Sequence, residues 1–164
     1  MKMKSLLEIS YAIIDSPVGE LILYGNRDCL LGLGFLKNTS WSKESDVWTK
    51  DPRIFKETTA QLRQYFDGNL KQFSVPFSPS GTQFQLNVYR QLLKIPFGET
   101  RSYSEIAEAV GNPKAVRAIG SANSKNPIAI IIPCHRVIGR DGSMTGFAGG
   151  LESKKALLGL ERAV

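Results

Sequence analysis

The chain has 164 residues and a mass of 18.1 kDa, of which 42% are hydrophobic and 22% charged, with a net charge of +6 at pH 7 and a pI of about 9.4. This length suits one large domain or two small ones with cores of their own, and no apolar run is long enough to span a membrane. Two cysteines are too few for a disulfide scaffold, and the basic then apolar start, Met1 to Leu7, is cut short by Glu8 with no cleavage-like site after it, so a cytoplasmic protein that meets no membrane is expected.

The charge is unevenly spread. Residues 1–79 carry 10 Lys and Arg against 9 Asp and Glu, whereas residues 80–164 carry 11 against 6. The second half therefore has the polyanion-binding character. In chain order, strands are expected at about 9–14, 20–25 and 29–36, separated by turns at Ser16-Pro17-Val18-Gly19 and Gly25-Asn26-Arg27-Asp28, forming an antiparallel meander. Alternation in the third strand puts Cys29, Leu31, Leu33 and Phe35 on one face, which makes Cys29 a core residue with no chemical role. Residues 37–52 are polar and mixed, with Trp41 and Trp48 as loop anchors. Ile54, Thr58, Leu62, Tyr65 and Phe66 keep helical spacing up to the stop at Gly68, and the helix they define should cover the sheet. Residues 71–81, with Pro76, Pro79 and Gly81, read as a linker, which places the domains at 1–79 and 80–164.

The second half reads as helical. Thr82 caps a central helix with two apolar stripes, one of Phe84, Val88 and Leu92 and the other of Leu86, Tyr89 and Leu93. Ser102 and Glu105 fit a capping box for a short helix ended by Gly111; Asn112 as cap and Pro113 at the first helical position start another. Two short helices around a Gly-Asn turn form a helix-turn-helix pattern, and Lys114, Arg117 and Lys125 on or after the second would face phosphates. Val137 to Thr145 is a wing or a loop, and a last helix spans about 152–161.

The chemistry is expected at Ile130-Ile131-Ile132-Pro133-Cys134-His135-Arg136, where one of two cysteines adjoins the sole histidine. Pro133 fixes its own φ and biases Ile132 toward extended geometry, so the isoleucines are expected as a buried strand-like segment ending at a turn. A thiol there, with an imidazole and a guanidinium beside it, suits a nucleophile.

Together with Pro96-Phe97-Gly98-Glu99, Ser102-Tyr103-Ser104-Glu105, Asn112-Pro113-Lys114-Ala115-Val116-Arg117, Asn126-Pro127 and Gly146-Phe147-Ala148-Gly149-Gly150, this segment closely resembles the O6-alkylguanine-DNA alkyltransferase family over residues 82–162. The resemblance implies an α+β fold: a ribonuclease H-like sheet domain with a covering helix, then a winged helix-turn-helix domain. It also implies direct-reversal DNA repair. The target base is flipped out of the duplex, since O6 is hard to reach in the stack, and its alkyl group moves irreversibly to Cys134 in a single turnover. O4-alkylthymine is a further candidate substrate. In the family's Cys-water-His-Glu chain the positions are Cys134, His135 and Glu161, and Asn126 braces the reactive turn. Arg117 replaces the extracted base, Tyr103 turns the target phosphate and contacts the base, and Lys114, Ala115, Lys125 and Arg136 complete the DNA-binding set. Tyr103, Phe147, Ala148 and Gly149 form the guanine pocket, with Phe147 standing where many relatives have tyrosine. The resemblance implies no cofactor, and two Cys with one His leave no structural zinc site. The partner implied is double-stranded DNA carrying O6-alkylguanine, bound by a monomer that clusters on DNA. The alternative is a non-catalytic lesion-binding or winged-helix DNA-binding protein, against which Cys134 argues.

Overall fold

A computed structural model describes residues 8–38 and 47–163; Trp41 and the segment Met1 to Leu7 lie outside them. The chain divides into two compact units, one ending at Ser78 and the other beginning at Pro79.

In the first unit β1 (Ser10–Ile14), β2 (Leu21–Gly25) and β3 (Leu30–Phe35) form the expected antiparallel meander. A fourth strand, β4 (Thr49–Lys50), lies parallel to β1, giving the order β3-β2-β1-β4 and a mixed sheet. Two polar residues carry no strand pattern of their own, so the expected all-antiparallel sheet needed this correction from long-range pairing. A register shift between Tyr24 and Gly25 disturbs the alternation in β3, and Leu30, Leu33 and Phe35 are buried while Leu31 is half-buried. Cys29 consequently falls outside the core, partly exposed, contrary to the simple two-residue period. Opposite Gly32 lies Tyr24, whose ring stacks on Trp48 with centroids 4.6 Å apart; a Cβ at Gly32 would collide with the Tyr24 ring.

A short 3-10 turn at Pro52–Phe55 leads into α1 (Lys56–Phe66), which buries Leu62 and Tyr65. The segment read as a linker is in part structural. Gln61 Oε1 accepts from the Ser74 amide at 2.9 Å, Val75 is buried, and Leu30 exchanges backbone hydrogen bonds with Pro76 and Ser78. Proline at position 76 is compatible because its carbonyl, which accepts from the Leu30 amide, is the group used.

The second unit is built on α2 (Gln83–Leu92), α3 (Tyr103–Ala109), α4 (Val116–Ser124) and α5 (Leu151–Leu160). The expected capping box of Ser102 with Glu105 is formed, and the expected cap at Thr82 proves to be a second box, with Gln85. Gly111, at φ +85°, ends the α3 turn in the left-handed region that glycine adopts freely. The next helix starts later than expected: Asn112 to Ala115 form a turn closed by the Ala115 amide on the Asn112 carbonyl at 3.0 Å, and α4 begins at Val116. Proline at the second position of that turn is equally well placed, so the pattern suited both readings. A parallel pair, β5 (Arg101–Ser102) with β6 (Val137–Ile138), anchors the start of α3 to the end of the Cys134 segment. Among the described residues no helix is long and apolar enough to cross a membrane.

Candidate active site

The Ile130–Ile132 run is buried but is not a strand. Ile130 has φ +73°, the Ile131 amide reaches back to the Ala129 carbonyl at 2.8 Å, and the Ile132 amide bonds the Ile128 carbonyl at 3.0 Å. A positive φ at a buried β-branched residue costs about 1–3 kcal/mol and is held only when the surroundings over-determine it. A second tight turn follows at Pro133 (φ −81°, ψ 65°), closed by the Cys134 amide on the Ile132 carbonyl at 2.8 Å. Cys134 thus opens the 3-10 turn Cys134–Arg136.

Asparagine side chains hold this geometry. Asn126 Nδ2 donates to the Ile132 carbonyl at 2.8 Å, and its Oδ1 accepts from the Ile128 amide at 3.0 Å. Asn123 Nδ2 donates to the Cys134 carbonyl at 3.2 Å. Asn126 therefore clamps both ends of the strained turn.

Cys134 is 4% exposed. Burial pushes its thiol up, while the Asn126 side chain, the Lys154 charge and nearby backbone amides pull the other way. The resting sulfur is a thiol whose thiolate already has partial stabilisation waiting. His135 is fully buried, and its Nε2 lies 2.9 Å from Glu161 Oε1. Burial lowers its pKa against the opposing pull of Glu161, so the ring is neutral near pH 7. Since a carboxylate only accepts, Nε2 carries the proton and Nδ1 is left with a lone pair.

Glu161 also takes three contacts from Arg136: Nε to Oε2 at 2.9 Å, Nε to Oε1 at 3.2 Å and Nη2 to Oε1 at 2.7 Å. Burial pushes this carboxyl up, but the hydrogen bonds and charges of His135 and Arg136 outweigh it and hold it at about 2. Arg136 Nη1 reaches the Ile95 carbonyl at 2.7 Å. The guanidinium, expected on the DNA side, is thus buried and internally committed; the correction is that Arg136 orients Glu161 instead of meeting phosphate.

Lys154, which the sequence reading passed over, is fully buried. Its Nζ donates to the Val137 carbonyl at 2.6 Å and to the Thr145 carbonyl at 3.0 Å, and sits 6.0 Å from the Tyr103 ring centroid. Thr145 Oγ1 donates to Tyr103 Oη at 3.3 Å. One ammonium group therefore ties the glycine-rich loop to the end of the Cys134 segment and to the start of α3. Its signal was present: Lys154 lies three and four residues before the buried Leu157 and Leu158, on their stripe.

Arg117, Lys114 and Lys125 are all exposed, on α4 and its flanking turns, with Ala115 half-buried between them. Tyr103 and Phe147 are half-buried, Ala148 is exposed and Gly149 buried.

Comparison with known proteins identifies both domains. The model of the 6-O-methylguanine DNA methyltransferase ribonuclease-like domain matches residues 9–79, and that of the DNA-binding domain matches residues 83–163. A methylated-DNA-protein-cysteine methyltransferase of Methanosarcina acetivorans is 50% identical over 92% of this chain and 97% of its own length. A Mycobacterium tuberculosis protein of the same name is 50% identical over 94% of this chain and 93% of its own. The crystal structure of the M. tuberculosis O6-methylguanine methyltransferase superposes with a TM-score of 0.89 at 49% identity, and that of the M. tuberculosis protein in complex with DNA with 0.88 at 50%; each covers 94% of this chain and 93% of its own. Both domain types are matched in order along nearly all of the sequence, and this chain belongs to the 6-O-methylguanine DNA methyltransferase family.

Proposed function

We propose that this protein repairs duplex DNA by transferring an alkyl group from guanine O6 to its own Cys134 Sγ, once per molecule. The observation that carries the reading is Cys134 at the head of a 3-10 turn, braced by Asn126 and followed by a buried His135–Glu161 pair. In the reaction the Cys134 proton passes through water to His135 Nδ1, and Glu161 stabilises the imidazolium. Sulfur attacks the alkyl carbon as the C–O6 bond breaks, its electron pair leaving with the purine, which takes up one proton so that charge balances. The thioether has no activated carbonyl for water to attack, which makes the step irreversible.

Exposed Lys114, Arg117 and Lys125 supply positive charge for the phosphate backbone, and Arg117 occupies the gap left by the flipped base. Tyr103, Phe147, Ala148 and Gly149 receive the base, with Lys154 keeping their loop in register. The Phe147 ring packs without contributing a hydroxyl, and O4-alkylthymine is a second substrate to assay. We assign the protein to the cytoplasm, where a reactive thiol stays reduced, and to a monomeric state in solution.

Intact mass spectrometry after mixing with an oligonucleotide containing O6-methylguanine tests the proposal. One methyl per chain, mapped to Cys134 and absent from Cys29, is expected, and Cys134→Ser should transfer none. Demethylation by Cys134→Ser would sink the assignment, and more than one methyl per chain would sink the single-turnover mechanism.

A further inference from the structure

Beside the reactive turn, three buried polar atoms have no hydrogen-bond partner among the described residues: Tyr89 Oη, Asn123 Oδ1 and His135 Nδ1. Their residues are 1%, 4% and 0% exposed. Orphaned polar atoms at such depth are rare, and three at one place call for a common explanation. All three residues lie near Cys134. His135 follows it in the chain, Asn123 Nδ2 holds its carbonyl at 3.2 Å, and Tyr89 is near enough for a charge on Cys134 to oppose ionisation of its phenol, already pushed up by burial. Tyr89 and Asn123 come from α2 and α4, which pack on one another.

The hydrogen-bonding character of the three atoms is complementary to one water molecule. The Cys134 carbonyl can only accept, so the Asn123 amide nitrogen faces it and Oδ1 is left as an acceptor. Nδ1 of His135 is an acceptor because Nε2 carries the proton toward Glu161. Tyr89 Oη is the donor of the set. A water can donate to two acceptors and accept from one hydroxyl, which leaves its fourth position for the Cys134 S–H, and a buried water needs two to four such partners.

We infer that Tyr89 and Asn123 are positioning residues that hold, with His135 Nδ1, the water through which Cys134 loses its proton. This rests on the proposed function and adds to it two residues that touch neither base nor DNA. In the step, the S–H proton passes to the water oxygen as a water proton passes to Nδ1. The water is regenerated, sulfur becomes the thiolate and His135 the imidazolium.

The test compares Tyr89→Phe with the unaltered full-length protein, following benzyl transfer from free O6-benzylguanine by intact mass from about pH 6 to about pH 9. Both should reach one benzyl per chain. The variant should be slower by about five- to tenfold near neutral pH, the rate equivalent of one lost hydrogen bond, and the gap should close as rising pH forms the thiolate without the relay. Superimposable rate-pH curves would overturn the inference, as would an equal slowing at every pH with a lowered melting temperature, the mark of a packing role. No transfer by the unaltered protein would instead overturn the functional reading. If Tyr89→Phe does not fold, a crystal structure of the unaltered protein decides. An ordered water within about 3.2 Å of Tyr89 Oη, Asn123 Oδ1 and His135 Nδ1 supports the inference, and a Tyr89 hydroxyl bonded elsewhere overturns it.

Discussion

Replacing Glu161 by Gln keeps the shape of the side chain and removes its charge from beneath Arg136 and His135. The cost follows from the structure by two routes. Glu161 is 2% exposed, and removing one partner of a buried ion pair typically costs about 3–5 kcal/mol because the other charge stays buried and uncompensated. Independently, a carboxyl held at about 2 instead of 4.5 contributes about 3 kcal/mol at neutral pH. The two agree in size, against a total stability of roughly 5–15 kcal/mol. If the chain melts as one unit, a loss of about 3 kcal/mol lowers Tm by roughly 6–12 °C. The acid limb supplies a second readout. A depressed carboxyl binds its proton more readily when unfolded, so its contribution is full above pH 4.5 and is lost as pH falls toward 2. His135, lowered by burial, adds a loss of the same sign that begins as pH falls through 6.5. Urea unfolding of both proteins from about pH 7 to about pH 3 measures these terms. Glu161→Gln should be less stable at pH 7, with a flatter decline below pH 4.5. A variant within about 1 kcal/mol of the parent at pH 7, with an unchanged acid limb, would refute the view that this buried network supports the site.

Lys154→Met keeps the length of the side chain but strips the Val137 and Thr145 carbonyls of their donor and removes the charge that favours the Cys134 thiolate; the rate-pH limb for alkylation by O6-benzylguanine should move to higher pH, and an unmoved limb would assign Lys154 to the loop alone. Arg117→Ala should slow repair of duplex DNA far more than reaction with free O6-benzylguanine, because only the duplex charges a few kcal/mol for unstacking; equal losses would place Arg117 in the pocket or the fold. Alkylated protein should melt below fresh protein, and benzylated below methylated, since adding groups at a sulfur 4% exposed overpacks the interior by about 1–3 kcal/mol; unchanged midpoints would show that the site has room to spare.

What was legible in the sequence was what depends on residues a few positions apart. The cap at Thr82, the capping box at Ser102, the glycine stop at Gly111 and the first three strands rest on hydrogen bonds or side-chain alternation within one or two turns of chain. The candidate nucleophile was also named from neighbours in the chain, because Cys134 and His135 are adjacent and resemble a specific family string. Local rules failed where the pattern allowed a second answer or where the fold overrode the local preference. Asn112-Pro113 serves as a helix start or a turn, and the three isoleucines serve as a strand or a buried turn with φ +73° at Ile130, a conformation that no isoleucine favours by itself. Only the tertiary structure decided what joins distant residues. Arg136 meets Glu161 across 25 positions and not phosphate, Tyr103 meets Thr145 across 42, β4 finds β1, and Lys154 reaches two carbonyls that nothing in its own helix announces. For Arg136 and Lys154 the choice follows from burial. Once packing takes a charge or a carbonyl out of water it must find a partner in whatever the fold brings alongside, and a one-dimensional pattern holds no record of that neighbour.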